Sequence, residues 1–196
     1  MTTTSLEETF LAFRTQCIWL QTCFNTYAAL YESGEETNES GEETSRVMSA
    51  AAPLFFHDLN VILVEYCLLQ VCRLTDPPQS SGRDNLTVKH INALLTAENK
   101  FTPEISSAAE GLAHYRSLIR DSRNWIISHV DKRTLIEGLP IGAHSQAEVS
   151  AFFDNLYRYV DEVGRVVGVG PLDFRCTSGP GDVLDLLRHL KAGLIG

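Results

Sequence analysis

Residues 123–131 read RNWIISHVD. Three side chains in this stretch can do chemistry. His129 carries an imidazole, whose ordinary titration lies near neutral pH. Arg123 carries a planar fork of donors that grips a phosphate or carboxylate through two bonds at once. Asn124 adds an amide that can donate and accept. Between them Trp125, Ile126 and Ile127 have the character of a buried helix. At 3.6 residues per turn, Arg123 and His129 stand about 120° apart around a helix axis. One helix therefore does not put them on a narrow face. Two copies crossing at a two-fold axis would bring both pairs into one cleft. The spacing points to a site assembled by dimerisation. Taken alone, His129 also fits a structural histidine at the edge of a core.

Arg116, Arg120 and Arg123 follow at spacings of four and three, which lines them along one stripe of a helix. Lys132 and Arg133 extend it, so residues 116–133 hold five basic residues against two acidic ones. Arginine suits a phosphate-binding stripe because of its bidentate geometry. A solvated, salt-bridged helix face would carry the same pattern. Asp58 and Glu65 lie seven residues apart on an apolar segment. Buried carboxylates there would need cationic partners, Arg73 or the arginines of the later helix. An acid-base pair is the alternative. The six histidines show no metal-ligand spacing, and the glycines at 168–170 and 179–181 do not follow a strand. No metal site and no cofactor are expected.

The elements that must position these groups read as helices. An apolar stripe from Phe10 to Tyr31 predicts a helix over 5–31. Residues 32–44 repeat SGEET and hold most of the excess acid, which predicts a mobile acidic loop. A second helix is expected over about 45–75, kinked or restarted at Pro53 and stopped by Asp76-Pro77-Pro78. Thr87 can cap a short helix over about 88–98. Thr102 with Pro103 starts a long one over about 103–130, which contains the opening stretch. Its seam runs through Leu112, Tyr115, Ile119, Ser122, Ile126 and His129. Ser145 with Glu148 forms a capping box that opens a helix to about Val167. Asp182 can cap a last one to about Lys191. No stretch alternates as a strand does. The expected fold class is all-α, a bundle of five to six helices in one domain over 1–196.

The formal charge of −9 argues against generic nucleic-acid binding, but its concentration in 32–43 leaves individual surfaces open. Five cysteines without a C-x-x-C pair fit reduced thiols and a cytoplasmic protein. The N-terminus has no basic, apolar leader pattern. The apolar run over 59–72 is interrupted by Asn60, Glu65 and Gln70 and reads as too short to span a membrane, so no membrane partner is expected.

Arg123-Asn124, four residues, then His129 near the end of a long helix resembles the HEPN superfamily (higher eukaryotes and prokaryotes nucleotide-binding domains). APLFFHDLN at 52–60, CRLTDP at 72–77 and NLTV at 85–88 add a resemblance to the abortive-infection AbiU type, strongest over 50–165. The resemblance implies a HEPN-like bundle, a homodimer, and often metal-independent RNA cleavage in phage-defence or toxin-antitoxin systems, with an antitoxin or regulatory partner. It departs from the His-x-Tyr toxins, since Asp131 stands where the tyrosine would be. In that chemistry the ribose 2′-hydroxyl attacks. His129 moves protons, Arg123 stabilises the phosphorane, and Asn124 orients phosphate or imidazole. Arg116, Arg120, Lys132 and Arg133 hold flanking phosphates. Two other classes stay open: a catalytically silent HEPN module that binds RNA or a protein, and a purely structural helical protein.

Overall fold

A computed structural model of the chain describes residues 5–32, 38–80, 82–120, 144–175 and 179–195, with the backbone alone at 38–42, 83 and 195. Among the described residues the fold is all-α, as expected. Seven helices carry it: α1 (Leu6–Tyr31), α2 (Asn38–Ala51), α3 (Pro53–Thr75), α4 (Val88–Ala97), α5 (Pro103–Leu118), α6 (Gln146–Val167) and α7 (Val183–Ile195). Between α3 and α4 lies a minimal antiparallel hairpin of β1 (Gln79–Ser80) and β2 (Arg83–Asp84), with Gln79 opposite Asp84 and Ser80 opposite Arg83. The chain divides into two compact units, residues 1–19 with 68–174 and residues 20–67 with 175–196.

In the first unit the apolar stripes of α1, α4, α5 and α6 converge. Phe10, Phe13, Ile91, Ile105, Leu112, Phe152 and Tyr159 are all fully buried. Tyr159 needs a partner for its hydroxyl in that setting. The hydroxyl lies 2.8 Å from Asn92 Oδ1 and 3.3 Å from the Val88 carbonyl, which ties α6 to α4. The Phe13 ring meets Tyr159 edge-on at 6.0 Å. At its far end α6 stops on Gly168, whose φ of 80° is the left-handed cap that glycine adopts without strain. Gly164 just before it admits no side chain, because a Cβ there would stand 2.7 Å from the Val169 carbonyl oxygen.

The capping predictions hold at Thr87, Thr102 and Ser145. At Ser145 both halves of the box form: the Ser145 N–H donates to the Glu148 carboxylate at 2.6 Å, and the Glu148 N–H donates to Ser145 Oγ at 3.3 Å. The Ser145 backbone and hydroxyl bonds hold the Glu148 carboxyl below its ordinary 4.5, with smaller help from His114 and His144. A lowered folded-state pKa means the contribution is full above 4.5 and fades as pH falls through the folded value. Loss of the N-cap in Ser145→Ala should cost about 1 kcal/mol in a urea titration at pH 7. The gap from wild type should narrow below pH 4.5; an undiminished gap in acid would mean that Glu148 ionisation has no part in the cap.

In the second unit Leu30, Met48, Phe56 and Leu187 form the core, joining α1, α2, α3 and α7. The Tyr31 hydroxyl donates to the Phe56 carbonyl at 2.7 Å, and Lys191 pairs with Glu43 at 2.9 Å. Cys23 and Cys67 are both raised by burial, Cys67 to about 12, so these thiols stay protonated and poorly nucleophilic. No disulfide forms among the described cysteines.

Three expectations need correction. The acidic loop at 32–44 is not a loop throughout: 38–44 belong to α2, while 33–37 lie outside the described residues. Thr44, Val47 and Met48 are buried, and docking this face carries the helix back into the acidic stretch, where carboxylates favour a helix N-terminus. The restart at Pro53 holds, with Ala52 the single residue between α2 and α3. Second, Asp58 and Glu65 are exposed and make no ion pair with an arginine among the described residues, so nothing there resembles a buried carboxylate pair. They share the outer side of α3 with Leu54, Phe55, Val61 and Ile62, of which Leu54 is 78% and Ile62 59% exposed. Third, α3 has 23 residues and by length and composition alone could cross a membrane, with 22% of its most apolar window buried. The apolar helix begins at Pro53, six residues before Leu59.

Candidate functional site

α5 delivers the chain to the candidate segment. It starts where expected, with Thr102 Oγ1 accepting from the Ile105 N–H at 3.3 Å and Pro103 in the first turn. Ile105, Ala108, Leu112 and Tyr115 are its buried face, which includes the first part of the predicted seam. The described helix ends at Leu118 instead of running on to 130. Ile119 is its cap, fully buried, with its N–H bonded to the Tyr115 carbonyl at 3.2 Å. Arg116 and Arg120 thus fall on either side of this helix end.

Arg116 sits at the edge of the α5 core face. Its Nη2 donates to Asp76 Oδ1 in an ion pair whose side chains are only 21% and 23% exposed. Arg116 Nε is buried without a partner. Asp76 follows the last turn of α3 and is fixed by the turn into Pro77-Pro78, where Asn85 closes the hairpin: its N–H donates to the Pro78 carbonyl at 2.7 Å and Nδ2 to the Pro77 carbonyl at 3.0 Å. The structure therefore gives Arg116 a carboxylate where the sequence suggested a phosphate. Arg120 is exposed. Arg123, Asn124, His129, Lys132 and Arg133 lie outside the described residues, which resume at His144.

His144 was not singled out by sequence. Its ring packs edge-on against Tyr115, centroids 5.6 Å apart at 74°, and Tyr115 in turn lies against Phe152 at 4.9 Å. Nδ1 of His144 is buried with no hydrogen-bond partner. The described residues stop at Arg120, five positions after Tyr115, and resume at His144, whose ring packs on Tyr115. The only sequence signal for His144 is its place directly before the capping box; its burial comes from a contact across α5 and α6. Among the described residues no group of histidines, cysteines and carboxylates is arranged to hold a metal.

The comparison with known families decides where this chain belongs. The family model of the HEPN protein AbiU2 matches residues 3–186. The chain is a member of the HEPN AbiU2 family. The match extends well beyond the 50–165 stretch that carried the resemblance, and takes in α1, the acidic stretch and the first turn of α7. No curated protein matches the chain, and no solved structure does. Membership as a HEPN AbiU2 protein associates the chain with abortive infection, and it bears on the segment from Arg123 to His129, which falls inside the match.

Proposed function

We propose that this HEPN AbiU2 protein is a metal-independent endoribonuclease of a phage-defence or toxin-antitoxin system, acting in the cytoplasm. The observation that carries the reading is Arg123-Asn124, four residues, His129 within a chain matched by the HEPN AbiU2 family over nearly its whole length. His129 takes the proton from the ribose 2′-hydroxyl or delivers one to the leaving 5′-oxygen. Arg123 meets the charge that builds on the phosphorane. Asn124 orients phosphate or imidazole. Arg120, Lys132 and Arg133 hold neighbouring phosphates, while Arg116, tied to Asp76, anchors the helix that leads into the segment. Purified protein should cut single-stranded RNA in EDTA and leave a 2′,3′-cyclic phosphate or 3′-phosphate. DNA of the same sequence should survive, because it lacks the 2′-hydroxyl. RNA that is bound and never cut would favour the catalytically silent module.

The site is proposed to assemble in a homodimer, since a helix keeps Arg123 and His129 about 120° apart. The contiguous apolar side of α3 at Leu54, Phe55, Val61 and Ile62 supports association, because a soluble monomer seldom leaves such a patch uncovered. Light scattering at micromolar concentration should give twice the mass of one chain, and a monomer would count against the shared site. An antitoxin or regulatory partner is part of the proposed system.

A further inference from the structure

Where α3 ends and the hairpin folds back, the first unit carries a cleft of about 480 Å³, within the roughly 300–1,000 Å³ typical of small-molecule sites. Its walls come from the first half of α1, the last turns of α3 and the hairpin. Leu74, Leu86 and Ala12 give it an apolar side. The rest of the lining is polar, and several of its groups are uncommitted.

Gln70 is the decisive one. It is 4% exposed, lines the cleft, and its side-chain amide has no hydrogen-bond partner among the described residues. Gln70 is also absent from the side chains whose polar atoms are sealed away from solvent without a partner. Its amide therefore opens into the cleft and not into the core. A buried amide that makes no hydrogen bond costs stability unless water or a ligand satisfies it. Arg73, on the same helix three residues on, is exposed and forms no ion pair among the described residues. Gln16 adds a second amide, from α1, with no hydrogen-bond partner among the described residues. Asp84 supplies a carboxylate that spends one oxygen on Gln79 Nε2 at 2.9 Å. Asp76, on the cleft wall, is neutralised by Arg116.

A guanidinium, two amides and a carboxylate around one apolar wall do not suit a bare phosphate, which the carboxylates would repel. They suit a flat ring with acceptors on one edge and donors on another. Guanine is that ring. Its O6 and N7 accept from an arginine fork, and its N1–H and N2–H₂ can donate to a carboxylate. Adenine presents a donor where guanine has O6. The pyrimidines lack the O6/N7 pair.

We propose that this cleft binds a guanine base, with Arg73, Asp84 and the buried Gln70 amide as the recognising groups. Resting on the ribonuclease reading, the cleft holds one unstacked guanine of the RNA strand and sets where it is cut. Asp76 both lines the cleft and holds Arg116, which precedes Arg123 by seven residues in the chain.

The test is calorimetric titration of the full-length protein with the four nucleoside monophosphates, none of which can be cleaved. GMP should bind about tenfold or more tightly than AMP, CMP or UMP. Arg73→Ala and Asp84→Asn change exposed side chains, so both should fold as wild type does, checked by thermal melting. Arg73→Ala should weaken GMP by about tenfold or more, and Asp84→Asn should erase the preference for guanine. Gln70→Ala should weaken GMP as well. Equal binding of all four nucleotides, no binding of GMP, or unchanged GMP binding by both folded variants overturns the proposal. GMP bound selectively by a protein that never cuts RNA leaves the cleft standing and removes the ribonuclease reading. RNA cut without GMP binding does the reverse.

Discussion

RNA incubated with His129→Ala should stay intact where the wild-type protein, in EDTA, reduces it to fragments. The expected loss is about 10²–10⁴-fold, the usual worth of a positioned acid-base group. The residue type suits the task because imidazole ordinarily exchanges protons near neutral pH. Arg123→Lys should be nearly as impaired, although it keeps the positive charge. An ammonium is a point charge and cannot span two phosphoryl oxygens as the guanidinium fork does. Asn124→Ala should cost less, since its amide orients groups and carries no developing charge. Single-turnover cleavage of an end-labelled RNA separates these effects from binding. If His129→Ala cuts as fast as wild type, the acid-base group is not His129, and the activity lies elsewhere or belongs to a contaminant.

Arg116→Ala should destabilise the fold by about 1–3 kcal/mol, the usual worth of a hydrogen bond between charged groups held mostly out of water. The pair it breaks is only about one-fifth exposed, with Arg116 at 21% and Asp76 at 23%. Truncating Arg116 takes a guanidinium away from the Asp76 carboxylate beside the Pro77-Pro78 turn, and truncating Asp76 takes the carboxylate away from a guanidinium whose Nε is already buried without a partner. Asp76→Ala should therefore cost a similar amount. The double variant should cost clearly less than the two singles combined, because the contact between the two side chains is lost only once. Urea titrations of the four proteins measure this directly. Additive costs, or single costs within the few tenths typical of surface pairs, would mean that the contact contributes nothing. Any fall in RNA cleavage by Arg116→Ala should be read against this loss of stability before it is credited to a lost phosphate contact.

How much could be read beforehand differs by element. The starts of α4, α5 and α6 were legible to the residue, because a cap is local chemistry: a hydroxyl, a backbone N–H three residues on, and at Ser145 a returning glutamate. The all-α class was legible from the three-four spacing of apolar residues, and the HEPN motif from the order of a few polar residues. The start of α2 was not. Acidic, glycine-bearing residues at 38–44 look unable to fold, and they are helical because Thr44, Val47 and Met48 find a core to enter. The exposure of Asp58 and Glu65 is hidden from the sequence for a related reason. An apolar helix looks buried on every side until its neighbours are known, and α3 is left uncovered along one side.

By itself, then, the sequence determined the helix caps, the helical class and the Arg123–His129 motif, because each depends on residues a few positions apart. Only the tertiary structure decided that Arg116 belongs to Asp76, that His144 packs against Tyr115, and that Gln70 opens into a cleft beside Arg73 and Asp84. Arg116 and Asp76 are 40 residues apart in the chain. Whether a charge meets a partner, a ring or a cleft depends on which helices pack side by side, and that follows from burial summed over the whole core, not from any local spacing.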